Sequence, residues 1–165
     1  MNTLAWLDRL TSIDTTSRNS NLGLIETARD ALKGYGLDPW LNLNAEGTKA
    51  NLFCTLPAQD GATQGGIALS GHTDVVPVDG QNWSSDPFKL TENAGKLYAR
   101  GACDMKGFIA ASLALVPEFM ALPRSKPMHL ALSYDEEISC LGACAGGRRR
   151  AAMRRKPARK CSQAN

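Results

Sequence analysis

Two apolar runs in this sequence end in clusters of polar residues, and that pattern constrains the fold more than any other feature of the chain. Residues 66–70 lead into His72, Thr73 and Asp74, and residues 128–134 run straight into Asp135, Glu136 and Glu137. Short apolar runs bounded by turn residues read as buried strands. Amphipathic helices accompany them: Leu4, Leu7 and Leu10 recur at helical spacing over residues 3–13, and Leu22, Ile25, Ala28, Ala31 and Leu32 do so over residues 21–33. Strands alternating with helices predict an α/β fold, a layered sheet with helices, and polar residues at strand ends lie where such sheets bind ligands.

The remaining segments fit the same plan. Asn19, Ser20 or Asn21 is expected to cap the second helix, and Gly34 and Gly36 to end it in left-handed conformations. Residues 40–43, 51–56 and 96–98 read as short strands, with a turn-rich stretch over 79–87. Residues 104–120 carry Met105, Ile109, Leu113, Leu115 and Phe119 in a helical pattern that Pro117 weakens near its end.

Composition matters for what it excludes. With 165 residues and 43% apolar content the chain can bury a core. It shows neither a secretory leader nor an apolar run near the roughly 20 residues of a membrane span, so a cytoplasmic protein with no membrane partner is expected. Five cysteines are an odd number without paired spacing and read as reduced thiols; Cys140 and Cys144 lack the second pair of a zinc knuckle. The net charge of +3 hides an asymmetry, because residues 144–165 hold eight Lys or Arg and no Asp or Glu. The chain therefore divides into an acidic body, residues 1–143, and a basic tail, residues 144–165.

Three clusters are able to carry chemistry. His72 and Asp74 stand two apart, which in an extended segment puts both side chains on one side of the backbone. They are candidates for one metal site, or else an ordinary hydrogen-bonded histidine beside an orienting aspartate. Asp104 precedes a helical pattern and reads equally as a helix N-cap or a ligand. Three adjacent carboxylates at 135–137 repel one another unless cations or protons relieve them, or a solvated loop spreads them. One histidine with several carboxylates is a donor mix suited to zinc. Two such ions about 3.5–4 Å apart polarise an amide carbonyl and acidify a water whose proton a nearby carboxylate accepts.

The strings SGHTDVVPV (70–78), NWSSDPF (82–88), LYARGACDMKGF (97–108) and SYDEEISCLGA (133–143) resemble, in order and spacing, successive motifs of one dinuclear zinc hydrolase family. That family contains acetylornithine deacetylases, succinyl-diaminopimelate desuccinylases, aminoacylases and glutamate-releasing carboxypeptidases. TTSRNSNL (15–22), TKANLF (48–53) and DMKGF favour its acetylornithine deacetylase branch. The resemblance implies that His72 binds one metal, Asp104 bridges two, and Glu137 binds the other. Asp74 would orient His72, and Glu136 would be the general base. It implies a cis peptide after Asp104 and two Zn2+ per complete enzyme, with Co2+ as an alternative. The implied substrate is a small N-acyl amino acid, N-acetylornithine, hydrolysed to acetate and ornithine on the way to arginine.

Complete members of that family are more than twice this length, carry an inserted lid domain, and form homodimers. They also supply a further carboxylate and a further histidine from later in the chain, whereas here no Asp, Glu or His follows Glu137. The expectation is an N-terminal fragment of the catalytic domain, without the lid and inactive alone. His129, inside a strand pattern, reads as structural. Three accounts of the tail compete: out-of-frame sequence, a solvated or disordered tail, and an arm that makes the chain a non-catalytic nucleic-acid-binding protein.

Overall fold

The computed structural model describes residues 1–142; the expectations for the basic tail, and for Cys144 as a reduced thiol, lie outside the described residues. In chain order the elements are α1 (Thr3–Thr11), α2 (Leu22–Gly34), β1 (Trp40–Leu43), β2 (Ala50–Leu56), β3 (Ile67–His72), β4 (Thr91–Asn93), β5 (Lys96–Tyr98), α3 (Gly107–Ala114), α4 (Val116–Ala121), β6 (Met128–Ser133) and α5 (Glu136–Ser139). Four strands form a mixed sheet in the order β1-β2-β6-β3, antiparallel except for the parallel pair β3 and β6. The strands β4 and β5 make a separate hairpin.

Alternation decides which face of the sheet is core. Leu52, Cys54 and Leu56 of β2 and Leu130 and Leu132 of β6 are buried with Trp6 and Leu10 of α1, Leu24, Ile25 and Leu32 of α2, and Ile109 and Leu113 of α3. Phe53, Thr55, His129 and Ala131 point to the other face and are half-buried. His129 is structural, as expected: its ring contacts Thr55 Oγ1 at 2.9 Å and Gly65 O at 2.8 Å and stacks on Phe53. The parallel pairing places the ends of β3 and β6 side by side, His72 opposite Ser133. The two polar clusters thereby become neighbours although they are some sixty positions apart in sequence.

Local expectations hold only in part where chemistry competes with propensity. The Asn21 side chain does not cap α2; it bonds Ala50 O and N, each at 2.9 Å, and Thr73 Oγ1 at 2.8 Å, while Ser20 Oγ accepts the Leu22 N–H. Gly36 is left-handed, whereas Gly34 is the last helical residue. The helix expected over 104–120 is two helices. Leu115 ends α3, and Pro117 sits in the first turn of α4, where its missing N–H costs nothing. Nor is Asp104 an N-cap: it lies in a bent turn, Ala102–Lys106, with extended torsions at φ −123°, ψ 99°, and α3 starts only after Lys106.

Candidate metal centre

Three separate segments place the candidate ligands and base. His72 is the last residue of β3, Asp104 sits in the bent turn before α3, and Glu136 and Glu137 open α5 just after β6. Gly101 makes the bend possible. Its φ of 78° is left-handed, and a Cβ there would lie 2.5 Å from Val75 Cγ1. The peptide bond from Asp104 to Met105 is cis, as the resemblance implies. Ahead of this turn, the Arg100 guanidinium lies over the Trp83 ring, 5.1 Å from its centre, so two of the quoted motifs meet.

The side chains converge. His72 Nε2 is 2.9 Å from Asp104 Oδ1 and 3.9 Å from Glu136 Oε2. One donor atom from each of His72, Glu136 and Glu137 lies within 4.8 Å of the others, so this trio holds Glu136, expected as the base, in place of the expected ligand Asp104, which meets the His72 ring. A pocket of about 230 Å³ opens between Arg100, Cys103, Asp104 and Glu137. The Asp104 side chain is 75% exposed and that of Glu136 47%, so the site faces solvent, while His72 is buried behind them.

Electrostatics explains the arrangement. The His72 ring donates from Nδ1 to Asp74 O at 3.0 Å, and the Asp74 carboxylate stands 3.6 Å from the same nitrogen. That carboxylate, then Asp104, hold the imidazole pKa up at about 9 against the effect of burial. With Nδ1–H committed to Asp74, loss of the other proton leaves the Nε2 lone pair facing the carboxylates, the tautomer a metal-binding histidine needs. Burial pushes the Asp74 carboxyl up, yet His72, the Ser17 hydroxyl and the backbone N–H groups of Glu136 and Glu137 outweigh it and hold the group at about 2. Burial raises Glu137 above the usual carboxylate range, and the charges of Asp104, Asp74 and Glu136 add to this while His72 opposes it. Crowded carboxylates around one imidazole are a donor set short of positive charge, so the residues present fit a divalent cation.

Asp74 does more than orient the ring. Its Oδ1 accepts the Glu136 N–H at 3.0 Å and its Oδ2 accepts the Glu137 N–H at 3.2 Å and the Ser17 hydroxyl at 2.7 Å. Ser17 and Lys49, which ion-pairs with Asp135, were not singled out from the sequence, although both lie inside quoted motifs, TTSRNSNL and TKANLF. Only the fold reveals their partners.

Residues 68–161 match the model of peptidase family M20/M25/M40. An acetylornithine deacetylase of Pasteurella multocida (strain Pm70) is 39% identical over 135 residues, which is 81% of this chain and 34% of that protein. The chain thus spans about a third of the length of that curated relative. Among solved structures, human carnosine dipeptidase 1 aligns with TM-score 0.71 and 26% identity, covering 85% of this chain and 33% of that one. The M20 family metallo-carboxypeptidase Sso-CP2 of Sulfolobus solfataricus gives TM-score 0.77 at 19% identity, over 93% of this chain and 35% of that one, and shows the shared fold.

Proposed function

Because the chain belongs to peptidase family M20/M25/M40, we propose that it forms the first part of a dinuclear zinc amidohydrolase acting on N-acetylornithine, with acetate and ornithine as products. The observation that carries this reading is the gathering of His72, Glu136 and Glu137 donor atoms within 4.8 Å, with Asp104 against the same imidazole. The identity of the acyl amino acid rests on the 39% identity to an acetylornithine deacetylase.

When bound, a pair of zinc ions supplies polarisation of the acyl carbonyl and acidification of a water molecule. In this reading His72 and Asp104 would hold one ion, and Asp104 and Glu137 would hold the other. Glu136, part-exposed and 3.9 Å from His72 Nε2 through Oε2, takes the water's proton and returns it to the leaving amine nitrogen. Asp74 keeps the Nδ1 proton on His72 and holds the backbone of both glutamates.

The test is a Zn2+ titration of the 165-residue protein followed by calorimetry, alongside His72→Ala and Glu137→Ala, with binding of N-acetylornithine and of succinyl-diaminopimelate to the Zn2+-loaded protein measured in parallel. Binding that each substitution weakens about tenfold or more supports the metal assignment. Binding that both leave unchanged refutes it. A preference for the succinyl compound would move the chain to another branch of the family.

A further inference from the structure

The loop of residues 13–17, between α1 and α2, touches every segment that carries a candidate ligand. On the His72 side, the Thr15 hydroxyl donates to Thr73 O at 2.6 Å, the Val75 N–H donates to Thr15 O and the Ser17 N–H to Val75 O, both at 3.1 Å. On the Asp104 side, Lys106 is fully buried and its Nζ donates to Ile13 O at 2.8 Å. On the acidic side, Lys49 donates to Ser17 O and ion-pairs with Asp135, the residue before Glu136.

Stability alone is a poor reason for this design. Burying an ammonium costs desolvation that an apolar side chain does not, in full for Lys106 and in part for Lys49, whose side chain is 13% exposed beside Asp135. What these two achieve is placement. Each joins one ligand-bearing turn to the same five residues, and the backbone bonds of Thr15 and Ser17 join the third segment to them. Two ions separated by about 3.5–4 Å require that three chain segments, remote in sequence, keep a fixed mutual distance, and a slip of about 1 Å costs about 100-fold in reaction rate.

We infer that the 13–17 loop is the gauge that sets the separation of the two metal positions, with Lys49 and Lys106 as the positioning residues that fix the Glu136 and Asp104 turns against it. The inference rests on the metal-binding reading above. Neither lysine is a ligand or a proton carrier; both act through the backbone they hold.

The experiment titrates Co2+ into the 165-residue protein and into Lys106→Met, Lys49→Arg and Lys49→Met/Asp135→Asn. The double substitution removes both charges together, so no buried carboxylate is left unpaired. Visible absorption reports ligand geometry, NMR shifts of the His72 imidazole report occupancy, and far-UV circular dichroism confirms folding. Lys106→Met and the double variant are expected to lose about tenfold or more in Co2+ affinity and to change the absorption envelope, while Lys49→Arg, which keeps the cation, stays within about threefold. A purely structural role would lower the urea midpoint and leave affinity and spectrum of the folded protein unchanged, and that result overturns the inference. If Lys106→Met does not fold, the two Lys49 variants decide. A wild-type protein whose His72 signals ignore Co2+ overturns the metal-binding reading and this inference with it; a responsive wild type matched by folded variants overturns this inference alone.

Discussion

The carboxylate of Asp74 accepts the backbone N–H of Glu136 at 3.0 Å, across 62 positions of sequence. One buried carboxylate thereby holds the residue proposed to move the proton, the neighbouring Glu137 through a second N–H, and the histidine two positions before it. Asp74→Ala strands those two N–H groups, each costing about 1–3 kcal/mol when left unpaired, and leaves the Ser17 hydroxyl only the longer contact to Val75 O at 3.4 Å. The expected result is a loss of about 3 kcal/mol in urea unfolding and of about 10–100-fold in Zn2+ affinity. Asp74→Asn, which keeps one acceptor, is expected to fall between Asp74→Ala and wild type in both measurements.

The same pair sets a pH window for the metal-free protein. Asp74 titrates at about 2 in the fold against an ordinary 3.8, so its contribution is complete above pH 4 and is lost as pH falls through 2. His72 titrates at about 9 against 6.5, so its contribution is complete below pH 6.5 and is lost as pH rises through 9. Both shifts describe one ion pair, which is counted once at about 2 kcal/mol. Urea midpoints of the metal-free protein are expected to plateau between about pH 4 and 6.5 and to fall on either side. Zinc competes with the Nε2 proton, so apparent affinity should rise with pH up to about 9, with about one proton released per protein at pH 7. Calorimetry in buffers of different ionisation heat reads that proton directly.

Gly101→Ala tests the bent turn. The added methyl meets Val75 Cγ1 at 2.5 Å and the backbone is left-handed at φ 78°, so both packing and torsion oppose it. A stability loss of about 1–3 kcal/mol is expected, together with weaker Co2+ binding because Asp104 shifts with the turn. Unchanged binding would separate Asp104 from the metal.

His129→Gln provides the contrast. The ring lies on the sheet face away from the core, bonded to Thr55 and Gly65 and stacked on Phe53. Its replacement is expected to cost about 1 kcal/mol in urea unfolding and to leave Zn2+ affinity unaltered.

The strands ending at His72 and before Asp135 are legible in the sequence because a short apolar run and a charged stop are local signals; the burial expected of both is not met by β3, an edge strand whose Ile67 is 59% exposed and whose buried residues are Gly71 and His72. Asp104 is a candidate ligand from the sequence, but the shape of its turn is not legible there. Apolar periodicity continues through Met105 and Ile109, and it carries no trace of the extended torsions that break the helix there. Pro117 reads as a late flaw in one helix, whereas it opens a second, because a proline at a first turn and one near a last turn look alike in sequence. Lys49 and Ser17 were invisible for a different reason. Their importance lies in Asp135 and Asp74, 86 and 57 positions away, and no local pattern encodes such a pairing.

The last prediction concerns turnover by the 165-residue protein itself. In the proposed assignment one ion holds His72 and Asp104, the other Asp104 and Glu137, so each has two protein ligands where a catalytic zinc typically has three. The Asp104 side chain is 75% exposed, so the contact with His72 Nε2 at 2.9 Å is made at the solvent-facing side of the site. The proposed base Glu136 is held in place by Asp74, but a base alone does not position a carbonyl, and a misplacement of about 1 Å already costs about 100-fold. Purified protein with excess Zn2+ or Co2+ is therefore expected to release acetate from N-acetylornithine at the rate of a Glu136→Ala control. Turnover within about tenfold of a typical enzyme's 10 per second, abolished by Glu136→Ala, would show instead that these residues complete the site unaided.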